Sequence, residues 1–253
     1  MRPNTVKTLW SQNKTVVCGW VGSDSTLIAE MYGHSGMEAV LVDMQHGLTS
    51  LQNLPQMLQA ISATPAMPFV RPTSIQPAEI MKVLDMGAYG LVAPLIDNAE
   101  QARQFVDAAC YPPAGSRSFG PARGRLYGGD DYLDKANDTV VKLPMIETVE
   151  GYENHKDIIN VDGVDGVFIG PADLALALGG KPGPEGTNPA LEDAIRNVQE
   201  ACHAAGKKVG IFCLSAQGAK MRMDEGFDLV APSNDMYVMS SSLAKIMNDI
   251  RES

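Results

Sequence analysis

The stretch KVGIFCLSAQGAKMRMDEGFDLVAPSND (208–235) contains one full unit of the architecture. It opens on an apolar run, KVGIFC (208–213), passes through an amphipathic segment, Ala216–Glu225, and ends on a second run, LVAPSND (229–235). Apolar runs without alternation read as strands covered on both faces. Gly226, just past the helical segment, fits a left-handed C′ position. The pattern recurs upstream. VVCGWVG (16–22), AVLVDMQ (39–45), MPFVRP (67–72), GLVAPLI (90–96), KLPMIET (142–148) and GVFIGP (166–171) read as strands. Ser74–Met86, Asn98–Ala109 and Asn188–Ala205 have helical spacing, with Gly87 and Gly206 at two of their ends. Eight such units in 253 residues predict one (β/α)8 TIM barrel spanning 1–253, without a linker or internal boundary. An open doubly wound sheet is disfavoured, because GWVGSDS after the first run lacks both the G-x-G-x-x-G and the P-loop patterns.

Composition narrows the function classes. A hydrophobic fraction of 45% with 20% charged residues is that of a globular chain. A net charge of −10 without a basic cluster argues against nucleic acid or an anionic membrane as partner. The N-terminus has no apolar h-region, and no apolar run is long enough to span a bilayer, so a cytoplasmic protein is expected. The four cysteines (Cys18, Cys110, Cys202, Cys213) are widely spaced among apolar neighbours and read as buried thiols.

Two segments depart from the repeat. Residues 111–141 are rich in Gly and Pro and too long for an ordinary connection, which suggests an active-site or interface loop, or else a surface insertion. The helix expected over 236–252 carries Met236, Met239, Leu243, Ile246, Met247 and Ile250 at spacings of three and four. That stripe either closes the barrel or extends onto another subunit.

Chemistry in such barrels is built where strands end. Asp43, Gln45 and His46 end the second run, Arg71 the third, Glu147 the fifth, and Gly170-Pro171-Ala172-Asp173 follow the sixth. Glu147 and Asp173 close neighbouring strands, so one is protonated or a cation lies between them. Oxygen donors favour Mg2+ or Mn2+, with Co2+ or Zn2+ left open. The alternative is that the carboxylates cap helices, which suits Asp173 better than Glu147, because Thr148 is the better cap beside it. Arg71 at the rim suits an oxyanion or enolate; it equally suits a salt bridge with Asp43 or Glu147. His46 is the one histidine at a strand end and a candidate general base. No lysine ends a strand, which argues against a Schiff-base aldolase.

LVDMQHG (41–47), PFVRP (68–72), LDMGAYGLVAPLI (84–96), YPPAGSRSFGPARG (111–124), MIETVEG (145–151) and GVFIGPADLALALG (166–179) follow one another in the order and spacing of the HpcH/HpaI aldolases, which this chain resembles over nearly its whole length. The resemblance implies a barrel of the phosphoenolpyruvate/pyruvate-binding type. It also implies a metal-dependent (class II) pyruvate aldolase, cleaving a 4-hydroxy-2-oxo acid to pyruvate and an aldehyde through a metal-stabilised enolate. By the same resemblance Glu147 and Asp173 hold the metal, and backbone at Gly170, Pro171 and Ala172 receives the pyruvate carboxylate. Arg71 stabilises the enolate, and His46 is the base. Asp85 reaches that histidine from a neighbouring subunit of a homo-oligomer, a hexamer built as a trimer of dimers. Phe212, Leu214 and Arg123 are candidates for the aldehyde end, with barrel packing as the other role for the first two. Asp43 and Gln45 stand behind the site; Gln45 replaces the glutamate of many relatives and removes one negative charge. The remaining alternatives are a CoA-thioester lyase of the citryl- or malyl-CoA type, an oxaloacetate decarboxylase, and a non-catalytic binding barrel.

Overall fold

The computed structural model describes residues 1–251. The eight runs form eight parallel strands: β1 (Val16–Val21), β2 (Ala39–Asp43), β3 (Met67–Arg71), β4 (Gly90–Ala93), β5 (Val141–Ile146), β6 (Gly166–Ile169), β7 (Lys208–Cys213) and β8 (Leu229–Pro232). Each strand pairs with its sequence neighbours, and β8 returns to β1 through Val16–Leu229 and Val17–Val230. The sheet is closed and leaves no edge. The expected (β/α)8 barrel is the observed one.

Side chains alternate along each strand although hydrophobicity does not. On β2, Ala39 and Leu41 join the cluster inside the barrel, whereas Val40 and Val42 pack outward against the helices. Asp43 continues the inward series at the strand's end. Large and small residues interlock inside: a Cβ at Gly90 would lie 2.4 Å from the Phe69 ring, and one at Gly210 2.8 Å from Phe168. β4 is shorter than its apolar run, because Pro94 lacks an N–H and Leu95 turns to φ +55°.

The helices follow their caps. Asn98, Asn188 and Ser215 accept first-turn amides of the helices Ala99–Ala109, Pro189–Ala204 and Ala216–Asp224. Gly87, Gly206 and Gly226 take φ +102°, +66° and +93° beyond helix ends, as their positions suggested. All four cysteines are buried and free, and burial pushes the Cys18, Cys202 and Cys213 thiols up to about 12. No helix among the described residues is long and apolar enough to cross a membrane.

Residues 111–141 carry two short helices, Ala122–Gly128 and Tyr132–Thr139, and connect the helix Ala99–Ala109 to β5. A helix-to-strand connection lies at the N-terminal end of the strands, so this segment is not an active-site loop of its own barrel. The last helix, Asp235–Arg251, is tied to β1 by Asp235, which accepts from the amides of Gly22 and Ser23. From Met236 onward every described residue is exposed, so the helix does not close the barrel; Glu252, at the expected end, lies outside the described residues.

The N-terminal helix Thr5–Ser11 plugs the opposite mouth. Val6 and Trp10 belong to the interior cluster. Asn4 donates to Tyr89 O and Thr139 O, and Trp10 Nε1 to Asp228 O at 2.8 Å. Trp10→Ala is expected to cost about 3–5 kcal/mol, the usual range for a large buried aromatic. At roughly 2–4 °C per kcal/mol this lowers Tm by roughly 6–20 °C. A calorimetric shift below 2 °C would contradict the plug.

Candidate active site

A cavity of 360 Å3 opens at the C-terminal ends of the strands. Asp43, His46, Arg71, Glu147, Gly170–Asp173 and Phe212 line it together. Asp43 and Arg71 are register partners on β2 and β3. Arg71 forks onto Asp43, Nε to Oδ1 at 2.8 Å and Nη2 to Oδ2 at 2.5 Å. Trp20 Nε1 donates to Asp43 Oδ2 at 3.1 Å, and the guanidinium lies 4.9 Å from the Trp20 ring centroid. The amides of Gln45 and His46 donate to Asp43 Oδ1, which sets the turn carrying the histidine. Burial opposes the Asp43 charge most strongly, yet Arg71, Trp20 and the His46 amide together hold its carboxyl below the ordinary range. Of the partners open to Arg71 in the sequence, Asp43 is the one it takes.

Glu147 is 2% exposed. Its Oε1 accepts the amide of Leu95, a residue at φ +55°, at 2.8 Å. Burial raises its pKa, the charges of Asp173 and Asp97 add to that, and the Leu95 amide and Arg71 pull back. Asp173 lies exposed in the first turn of the helix Pro171–Ala177, whose cap position is Gly170. Thr148 caps the helix Val149–Glu153 through Gly151 N at 2.9 Å. Neither carboxylate therefore occupies a helix-cap position. Among the described residues no group of three or more His, Cys, Asp and Glu is placed to hold a metal. The pair Glu147 and Asp173 offers two oxygen ligands and leaves the rest of a coordination sphere to water or ligand.

The other expected residues are distributed differently. His46 is exposed on the cavity wall, and Phe212 meets Trp20 edge-on at 5.4 Å. Gln45 is half-buried outside the lining, its Oε1 without a hydrogen-bond partner. Leu214 lines a smaller neighbouring cavity instead. Arg123 does not approach the site: it donates to Met86 O, Leu58 O and Ser62 Oγ at the far end of the barrel, where helices finish. Asp85 ends the helix Pro77–Asp85 at that far end and pairs with the buried Arg117 at 2.8 Å, so within one chain it is remote from His46. Sequence reasoning missed Trp20. The signal was its place two residues after Cys18, on the inward face of β1 and with an indole N–H to satisfy.

A parallel eight-stranded barrel whose polar and charged side chains gather at its C-terminal mouth has the layout of a barrel enzyme. The HpcH/HpaI aldolase/citrate lyase family model matches residues 17–241, and the chain belongs to this family. It is 43% identical over 248 residues to the hydroxypyruvate/pyruvate aldolase of Rhizorhabdus wittichii, covering 98% of this chain and 99% of that one. It is 37% identical to a 4-hydroxy-2-oxo-heptane-1,7-dioate aldolase of Escherichia coli, covering 94% and 91%. Among solved structures, an HpcH/HpaI aldolase/citrate lyase family protein from Burkholderia cenocepacia superposes with a TM-score of 0.91 at 28% identity, covering 98% and 99%.

Because the folded-state pKa of Asp43 is depressed, its contribution to stability is present above the ordinary aspartate value of about 3.9 and is lost as pH falls through the folded value. Asp43→Asn strands a buried guanidinium and is expected to cost about 3–5 kcal/mol at pH 7. Urea unfolding should show a constant gap to wild type from pH 7 down to about pH 5, narrowing as pH falls below the ordinary aspartate value of about 3.9; a gap that stays constant in that acid range would contradict the assignment.

Proposed function

We propose that this chain catalyses the reversible aldol cleavage of a 4-hydroxy-2-oxo acid to pyruvate and an aldehyde. The observation that carries the reading is the convergence of Glu147, Asp173, Arg71 and His46 on one cavity at the strand ends.

The residues present fit a divalent cation. Gly170 keeps the edge of the Glu147 carboxylate clear, since a Cβ there would lie 2.6 Å from Oε2. The Asp173 charge that opposes ionisation of Glu147 is what a cation between them offsets. The donors are all oxygens, which favours Mg2+ or Mn2+ over softer ions. When bound there, the ion supplies Lewis-acid stabilisation of negative charge developing on a keto oxygen.

This chain's own residues do the rest. Asp43 engages two of the five N–H donors of Arg71 and holds its plane, so that the remaining donors meet the developing oxyanion without reorganisation. Gly170 N already donates to Ile146 O, and Pro171 has no N–H. The pyruvate carboxylate therefore falls to the first-turn amides of Ala172 and Asp173, which have no intrahelical acceptor. That narrows the expected span. His46, exposed at the mouth, moves the proton at the pyruvate methyl carbon. Phe212 and Trp20 supply an apolar wall for the aldehyde.

A homo-oligomer belongs to the same reading. Met239, Leu243, Ile246 and Ile250 are each more than half exposed along the last helix of a single chain. Apolar surface of that extent marks an interface, and a second copy is its occupant. Asp85 enters the reading through such an assembly, held by Arg117 and presented to the partner subunit's His46.

Deuterium should exchange into the methyl group of pyruvate in the absence of any aldehyde, and a chelator should abolish it. Arg71→Lys should keep Mn2+ binding while losing roughly 100-fold in exchange, because a point ammonium does not reproduce the planar fork. Exchange that survives full chelation removes the proposed function. Sedimentation should show wild type well above the 27.1 kDa of one chain, and a smaller species for Leu243→Lys combined with Ile246→Lys. A monomeric wild type at micromolar concentration removes the assembly.

A further inference from the structure

The loop 179–188, GGKPGPEGTN, joins the helix Pro171–Ala177 to the helix Pro189–Ala204 and crosses the rim beside the cavity. Lys181, Pro182, Gly183 and Pro184 are exposed, whereas Glu185 is half-buried and turned inward. Its Oε1 accepts the amide of Leu214, just past β7. Its carboxylate also lies against Gly218 in the first turn of the helix Ala216–Asp224, where a Cβ would fall 2.2 to 2.5 Å from the carboxylate atoms. A negative charge at that helix end is favoured by the aligned peptide dipoles. Pro182 and Pro184 stiffen the span. Gly179 and Gly186, at φ +77° and +78°, turn the chain at either side of it.

The loop is therefore a stiff strap: Glu185 anchors its middle to the end of β7, and Gly186 N, donating to Glu192 Oε1 at 2.9 Å, fixes its far end. Beneath it lies a second cavity of 60 Å3. Pro182, Pro184, Glu185 and Leu214 form its outer side, while Pro171, Ala172 and Phe212 line both it and the main cavity. The side cavity sits directly behind the wall assigned to the aldehyde.

The geometry points to Glu185 as the residue that limits the length of the aldehyde this site accepts, by pinning the strap over the side cavity. Glu185 acts through the strap and is a positioning residue. The inference rests on the aldol reading above, and specifically on Phe212 facing the aldehyde. With the anchor removed, the strap lifts, the side cavity opens into the main one, and longer apolar chains fit behind Phe212.

The test is aldol addition of pyruvate to a homologous series from propanal to hexanal, with the full-length chain and Mn2+. Glu185→Ala should raise the ratio of kcat/KM for hexanal to that for propanal by at least about tenfold, the lower end of the discrimination that one methylene of the three separating them carries in an apolar pocket. Glu185→Asp, one methylene too short to reach Leu214, should behave as the alanine variant. Glu185→Gln keeps an oxygen acceptor for the Leu214 amide and should stay near the wild-type ratio. Hydrogen exchange at the Leu214 amide should quicken in the alanine variant while amides of β2 and β3 stay protected. Pyruvate methyl exchange, which needs no aldehyde, should be unchanged in all three variants. An unchanged aldehyde ratio, or an equally protected Leu214 amide, with pyruvate exchange intact, overturns the role of Glu185 alone. Loss of pyruvate exchange in the alanine variant makes Glu185 a residue of general stability and also overturns it. Absence of exchange in wild type instead overturns the aldol reading beneath it.

Discussion

Five donors converge on one buried carboxylate: two from Arg71, the Trp20 indole, and the amides of Gln45 and His46. Asp43 is 4% exposed and Arg71 7%, so neither charge is solvated by bulk water. Taking a single ion out of water costs several kcal/mol even after relaxation, and the pair is tolerable only because its hydrogen bonds are nearly complete. The register Asp43–Arg71 between β2 and β3 holds the fork in place. A slip of one residue would turn both charges into the helix layer. The rest of the mouth depends on this lock, since Arg71 is aimed by it and His46 is carried on the turn it fixes.

The acidic pair has the opposite character. Glu147 is buried with one amide donor, and its carboxyl is pushed toward the neutral form by burial and by Asp173. The donor comes from Leu95, a non-glycine residue at φ +55°, a conformation that costs about 1–3 kcal/mol and persists where surrounding structure over-determines it. Pro94 ends β4 just before it, and the bare Gly170 leaves room on the other side. Burial and a neighbouring carboxylate both work against the Glu147 charge, and a positive ion beside the pair would offset both.

The barrel was legible because its strands are buried on both faces and its helices end in glycine. The candidate site was legible because polar residues at strand ends are few, so Asp43, His46, Arg71, Glu147 and Asp173 stood out against apolar runs. Placement through connection type is readable as well: residues 111–141 follow a helix and precede a strand, which puts Arg123 at the far mouth. Trp20 was hidden because an aromatic in an apolar run looks like packing, and only the alternation shows that its N–H reaches Asp43. Leu214 and Glu185 depend on how a Gly- and Pro-rich loop folds back over β7, a long-range contact without a local signature. The first turn after β6 offers fewer amide donors for a local reason, since Pro171 has no N–H and that of Gly170 is engaged by Ile146 O.

These observations divide the cavity into two halves of different stiffness. The half that would hold a keto acid is built from residues at the ends of β2, β3 and β5 and from the first turn after β6, anchored by the β2–β3 register and the buried Asp43–Arg71 pair. The half that would face the aldehyde is bounded by Phe212 and, behind it, by a strap whose inward anchor is the Glu185 carboxylate. Sites built on strands keep their geometry, whereas walls built on loops change readily. Relatives bearing the names of a hydroxypyruvate/pyruvate aldolase and a 4-hydroxy-2-oxo-heptane-1,7-dioate aldolase match this chain along nearly its whole length. A rigid strand-built half joined to an adjustable wall would let one barrel take different aldehydes without disturbing the charges that would do the chemistry.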